Sequence, residues 1–328
     1  AGAGAMVRVL KAGRPPGYVL HLLYAQGVPF PHLNEGKETL TALARERLFG
    51  PWLRAARVGV AIALPAEQHG SQVLRDSGVS LAIEDGSAGG NMSDKEQRFG
   101  IANTALWATA TTDASNGSVN GGHDALTAAG GAVPIVNMFV GEVIFGGVGS
   151  GMYGMLLYVL LAVFVSGLMV GRTPEYLGKK IGARDIKIVL VGLLFPPAMV
   201  LVMTALAVTL PEGLASIFNP GPHGFSEALY AYTSQGNNNG SAFAGYGATT
   251  FSTLLGGTAM LLARFVPLVA ALAVAGSLAS KKTAPASAGT FRTDSPTFVG
   301  VLVAVVVVVS ALTILPALAL GPIVESLT

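Results

Sequence analysis

Two triplets in this sequence, Asn116-Gly117-Ser118 and Asn239-Gly240-Ser241, hold the residue types needed to take a cation out of water. An ion that crosses a bilayer must exchange its hydration shell for protein oxygens. Backbone carbonyls supply those oxygens without adding net charge. Glycine lets carbonyls crowd inward because it tolerates positive φ, and Ser or Asn beside it supports irregular backbone through side-chain hydrogen bonds. Such backbone is stable at membrane depth only where protein buries it or where it lines a water-filled path. The stretches Thr112–Val119 and Gly236–Gly245 fit that description. The candidate ion-binding residues are Thr112, Ser115, Asn116, Gly117 and Ser118 in the first, and Asn238, Asn239, Gly240 and Ser241 in the second.

The two stretches are related by a repeat. Ala105-Leu106-Trp107-Ala108 aligns with Ala228-Leu229-Tyr230-Ala231 at an offset of 123, and the two triplets, Gly122 and Gly245 fall in the same register. Compositional bias toward Gly and Ala is the competing explanation. Read as a repeat, the pattern is a half-helix, a glycine-containing loop and a span, occurring twice. The apolar segments Ile101–Thr112 and Phe225–Ser234 have the length of re-entrant half-helices rather than of crossings.

The elements that position these loops are membrane spans. Met152–Gly171, Ile186–Leu210 (with Pro196-Pro197 expected to kink it) and Phe298–Val324 each approach the ~20 residues that cross ~30 Å of hydrocarbon. Phe251–Leu278 has the length too but carries Arg264 near its middle. Val58–Ala66 is too short to cross unless the preceding helix contributes. Only 12% of the 328 residues are charged, against about 25% in soluble domains, so the natural solvent of this chain is a bilayer.

Residues 1–57 carry eight Lys/Arg against three Asp/Glu, and Lys37–Arg57 reads as a basic amphipathic helix at the membrane surface. The chain opens Ala-Gly-Ala-Gly-Ala before Met6 with no signal peptide, and reads as a fragment or as a product with an atypical first segment. No Lys or Arg occurs from Phe99 to Gly171 or from Ile188 to Ala263. The basic residues gather in loops 172–187 and 281–292, which two crossings separate, so the positive-inside rule puts both loops in the cytoplasm. The Asn/Gly loops, with His123 and His223, then face outside.

Several rival chemistries fail on context. The absence of cysteine excludes disulfides, cysteine nucleophiles and thiolate metal sites, and no basic run with interleaved aromatics points to nucleic acid. Gly149-Ser150-Gly151-Met152-Tyr153-Gly154 satisfies G-x-G-x-x-G, but a span begins inside it instead of the βαβ unit that a dinucleotide requires. Gly171–Lys180 has the wrong spacing for a phosphate loop, and a GxxxG packing face at Gly167 and Gly171 is the better reading. No Asp-Lys-Thr-Gly phosphorylation motif is present. His123 and His223 lack metal-ligand spacing and read as capping or loop residues. Glu142 and Arg264 lie in apolar segments, where ionisable residues are costly, and either serve the ion path or pair with each other or with carbonyls.

Asn91-Met92, the run Lys95-Glu96-Gln97-Arg98-Phe99-Gly100, Gly141–Gly149, Gly171–Lys180, Asn219–Glu227, Asn237–Gly245 and Leu315–Pro322 together resemble the signatures of the A subunit (KdpA) family of Kdp potassium-transporting P-type ATPases. Asp94 stands where that family usually has Gly. The resemblance covers residues 60–328. It implies an all-α integral membrane protein of four channel-like M1–pore-helix–filter–M2 repeats around one potassium-selective pore. This chain would hold the third repeat (58–185, filter near 112–119) and the fourth (186–280, filter near 236–245), then a cytoplasmic loop and a last span (281–328). Residues 1–57 match nothing in the family.

By the same resemblance Gly117 and Gly240 are the third and fourth filter glycines, and Gly146, Gly147, Gly149 and Gly151 belong to a gating loop. The transported ion is potassium, with no other cofactor. The partners are the ATP-hydrolysing B subunit, the C subunit and the small F subunit in a bacterial inner membrane. The chain is then not catalytic itself. A secondary transporter with broken helices around a mid-membrane site is the other function class that fits.

Overall fold

A computed structural model of the chain describes residues 50–84, 88–144, 146–147, 150–171, 173–283, 293 and 295–327, with the side chains of 50–56 and 141–144 outside the description. Its helices are α1 (Gly50–His69), α2 (Gln72–Asp76), α3 (Gly100–Asp113), α4 (Ala128–Ile144) and α5 (Ser150–Met169), then α6 (Ala183–Thr209), α7 (Pro211–Leu214), α8 (Gly221–Gly236), α9 (Thr250–Ala279) and α10 (Pro296–Leu318), which runs into a π turn at Ala319–Ile323. Between α5 and α6 lies one antiparallel hairpin, β1 (Glu175–Tyr176) and β2 (Lys179–Lys180), with Glu175 opposite Lys180.

Four helices among the described residues are long and apolar enough to cross a membrane: α5, α6, α9 and the α10–π-turn unit. The chain is a multi-pass, all-α membrane protein. The expected spans lie within a few residues of these helices, and α6 continues through Pro196 and Pro197. Val58–Ala66 gains its length from the turns before it, because α1 starts at Gly50. The expected segment boundary at 57 therefore falls inside a helix, and the surface helix expected over 37–57 lies outside the described residues as far as 49. Helix α4, whose Gly130-Gly131 and Pro134 hid it from periodicity, had no place of its own in the sequence reading.

Helix α8 sits at the centre. Leu229, Tyr230 and Tyr232 are fully buried in a core shared with Ile135 and Met138 of α4, Val200 of α6, Ala259 of α9 and Ile314 of α10. A second core joins α5 (Leu157–Val163) to Val189 of α6, Val274 of α9 and Val306 of α10. In lipid, apolar transfer gives helices little reason to associate, so close van der Waals packing must hold them. Gly192 permits such an approach: a Cβ there would lie 2.8 Å from Leu157 of α5 and 3.1 Å from Ala270 of α9. The outer faces of α9 and α10 expose Leu261, Phe265, Leu272, Val299, Val303 and Val307.

The GxxxG reading is corrected. Gly171 has no neighbour within 4 Å of an added Cβ and takes φ +65° just beyond the end of α5, while Gly167 packs on Pro174 of the following turn. Among the described residues, both glycines lie at the exit of α5 and neither meets another helix.

Candidate functional site

Helices α3 and α8 each end at an irregular loop, 114–118 and 237–241. The two loops share four internal hydrogen bonds at the offset of 123. Asn116 N–H donates to the Thr111 carbonyl at 3.0 Å, and Asn239 N–H to the Ser234 carbonyl at 2.9 Å. The Thr111 hydroxyl donates to the Ser118 carbonyl at 2.7 Å, as the Ser234 hydroxyl does to that of Ser241 at 2.6 Å. In each loop the Asn Oδ1 accepts both the N–H and the hydroxyl of the following Ser, at 2.9 and 2.7 Å in the first and 3.2 and 2.6 Å in the second. One left-handed position also corresponds, Ser115 at φ +49° and Asn238 at φ +53°, whereas Gly240 is left-handed and Gly117 is not.

These bonds commit the polar side chains to holding the loops. The carbonyls of Asn116, Ser118 and Ser241 also accept internal donors. Those of Gly117 and Gly240 accept none from any described residue, so they are free to face an ion. The two glycines are adjacent: a Cβ on Gly117 would lie 2.7 Å from the carbonyl carbon of Gly240 and 2.9 Å from its oxygen. Gly240 itself takes φ +90°. Both helices aim their C-terminal ends at the loops, where the macrodipole is negative and favours a cation. Beyond the loops opens a cleft of about 560 Å³ whose lining includes Asp94, Lys95, Glu96, Asn120, Ala242 and Ala244.

Thr112 is placed differently from the other candidates. Its hydroxyl donates to the Ala108 carbonyl at 2.6 Å and lies 3.3 Å from the Asn137 amide of α4, away from the loop. Thr111 and Ser234, which sequence reasoning did not single out, are the residues that tie helix to loop. Asp113, 6% exposed at the end of α3, leaves Oδ2 without a partner.

The break between α4 and α5 lies beside the first loop. A Cβ on Gly147 would sit 2.5 Å from the Ser150 hydroxyl and 3.4 Å from that of Ser115. Gly146 takes φ +59°, and Gly151 donates to the Gly147 carbonyl at 3.1 Å as α5 begins. Gly149 lies outside the described residues. Arg264 is half-buried in α9 and makes no ion pair or hydrogen bond with a described residue, while the Glu142 side chain falls outside the description.

Two polar networks brace the loops. Lys95 pairs with Glu67 at 2.9 Å, with both side chains fully buried, and Glu67 also accepts Asn91 Nδ2 at 2.7 Å and the Thr127 N–H and hydroxyl at 2.8 Å. This knot joins α1, the segment before α3 and the start of α4. In the second network His223 Nε2 lies 2.8 Å from Asp124 and its Nδ1 lies 2.7 Å from Glu325. Hydrogen bonds to these two carboxylates push the His223 pKa up to about 10, so it is an imidazolium. Asp124, His223 and Glu227 bring ligand atoms within 4.8 Å of one another, a grouping that local spacing could not reveal. Their donors and acceptors are already matched: Glu227 accepts the Phe218 and Asn219 N–H groups. His123 is 1% exposed beside the Tyr230 hydroxyl at 2.5 Å, and burial, with Lys95 nearby, lowers its pKa to about 4.

Residues 45–327 match the family described as potassium-transporting ATPase A subunit, KdpA. The chain belongs to that family. A Herpetosiphon aurantiacus protein named potassium-transporting ATPase potassium-binding subunit is 58% identical over 268 residues, which are 81% of this chain and 46% of that protein. Proteins of the same name from Sorangium cellulosum (59% over 264 residues; 80% of this chain, 45% of that protein) and Anaeromyxobacter dehalogenans (52% over 292; 87% and 50%) agree. The chain thus spans about half the length of the curated relatives it matches. For this family, Thr111 and Ser234 had a legible signal after all: both are hydroxyl residues at the offset that relates the triplets.

Proposed function

We propose that this chain is the potassium-binding, pore-forming part of an ATP-driven potassium uptake complex, contributing two of four filter loops. Gly117 and Gly240 present their carbonyls to a dehydrated potassium ion, and Ser115, Asn116, Ser118, Asn238, Asn239 and Ser241 hold the loops in shape. Thr112 instead ties α3 to Asn137 of α4. The observation that carries this reading is the pair of adjacent glycines whose carbonyls lack internal donors, set in loops with matching hydrogen bonds. Family membership supplies the ion, since the relatives are named as potassium-binding subunits.

In this reading residues 58–185 form the third repeat and 186–280 the fourth, with 281–328 closing the chain. The break at 146–151 gates the path below the filter, and Arg264 acts electrostatically on that path. The protein lies in the bacterial inner membrane with loops 172–187 and 281–292 cytoplasmic and the filter loops outside. ATP hydrolysis belongs to the B subunit, accompanied by C and F. The test is to purify the full-length protein that contains these repeats and ask whether an ATPase subunit comes with it. Hydrolysis that rises with potassium supports the proposal. Gradient-driven flux with no ATPase attached would instead favour the secondary transporter.

A further inference from the structure

The two loops meet through a bond that their internal pattern does not need. Asn239 Nδ2 donates to the backbone carbonyl of Thr111 at 3.1 Å, across the boundary between the two repeats. That carbonyl already accepts the N–H of Asn116 at 3.0 Å, the bond that starts the first loop. Asn239 is therefore attached at both ends: its Oδ1 fixes Ser241 in its own loop, and its Nδ2 fixes the turn from which the neighbouring loop begins. It is 5% exposed, so water cannot stand in easily for either bond.

The first loop provides a control within the molecule. Asn116 is the counterpart of Asn239, and its Oδ1 makes the same bonds to Ser118. Its Nδ2 has no acceptor among the described residues, and the loop still makes the other hydrogen bonds of the pair, although Gly240 takes φ +90° and Gly117 does not. The amide N–H is therefore not among the hydrogen bonds that the two loops share, and in Asn239 it joins one loop to the other. We infer that the Asn239 carboxamide is a positioning residue. It sets the separation of the Gly117 and Gly240 carbonyls, and so the preference among monovalent cations. This rests on the filter reading above. The physical reason is leverage: Gly117 and Gly240 touch backbone to backbone, and the neighbouring link of the Ser115 hydroxyl to the Asn238 carbonyl is long at 3.4 Å.

The experiment uses the full-length protein assembled with its ATPase partner and compares potassium, rubidium and sodium as activators. Asn239→Asp keeps the acceptor for Ser241 but replaces the donor to Thr111 with an oxygen. The potassium-over-sodium preference should fall about three- to tenfold, the worth of one hydrogen bond, in a complex that still assembles with its ATPase partner. Asn239→Ala, which brings no charge, should lower it in the same direction. Disulfide trapping between Ser115→Cys and Asn238→Cys reads loop spacing without transport, and should slow when Asn239→Asp is added. A Gly240→Ala arm separates the two readings. If Gly240→Ala relaxes selectivity while both Asn239 variants leave selectivity and trapping unchanged, the tie is refuted and the filter stands. If none of the three alters selectivity in an assembled complex, the filter reading fails with it.

Discussion

If Gly117 and Gly240 are filter residues, adding one methyl group at either should damage the filter for two different reasons, and the structure separates them. At Gly117 the obstacle is space. The new Cβ would lie 2.7 Å from the carbonyl carbon of Gly240, so the loops must part by roughly 0.7 Å to reach ordinary contact near 3.4 Å. At Gly240 there is room, since the nearest atom is the Gly117 Cα at 3.5 Å. There the obstacle is φ +90°, which costs a residue with a Cβ about 1–3 kcal/mol. On the filter reading proposed above, either change distorts a ring of carbonyls sized for dehydrated potassium. A loss of about 1–3 kcal/mol of discrimination relaxes selectivity roughly 5- to 150-fold. The assay is cation-stimulated ATP hydrolysis by the full-length complex, titrated with potassium, rubidium and sodium. The two substitutions share one contact, so the double variant should lose less than the product of the single losses. Gly182→Ala in the basic loop, far from the filter in sequence, should leave selectivity alone. Both single variants keeping native affinity and selectivity in a normally assembled complex would refute the argument.

Lys95→Met should lower stability by about 3–5 kcal/mol, because it strands the buried Glu67 carboxylate. Adding Glu67→Gln should restore part of the melting temperature, and no recovery would count against a buried ion pair. His223 holds a proton in the folded state up to about pH 10 that the unfolded chain releases near 6.5, so its contribution is full below about 6.5 and lost as pH rises toward 10. The stability gap between the native protein and His223→Gln should narrow over that window, and a gap that widens would reverse the assignment. Arg264→Gln should alter potassium flux while leaving expression and assembly nearly intact; equal loss of protein and flux would make Arg264 a packing residue. Topology is tested by thiol labelling at Lys179→Cys and Lys180→Cys from the cytoplasm and at Val119→Cys from outside, because Val119 is 45% exposed while His123 is buried. Labelling of Val119→Cys only from the cytoplasm would invert the orientation.

The spans, the half-helices and the repeat were legible in the sequence because each depends on local composition. A charge-free run of 20 residues has few alternatives to a crossing, and Asn-Gly-Ser recurring at a fixed offset marks one structural unit used twice. Helix α4 was not legible, since its glycines and proline suppress the signal that packing against α3 and α8 overrides. The GxxxG reading failed because spacing cannot say whether a glycine meets another helix or its own exit turn. The site followed the same division. Sequence singled out the glycines and the polar residues of the candidate loops, because glycine and its polar neighbours are chosen by φ and by short-range hydrogen bonding. Only the tertiary structure decided that Gly117 and Gly240 face each other, that Asn239 reaches Thr111, and that Asp124, His223 and Glu325 share charge across most of the chain. Those contacts join residues about 100 or more positions apart, and their distances depend on how helices close-pack, which no local pattern encodes.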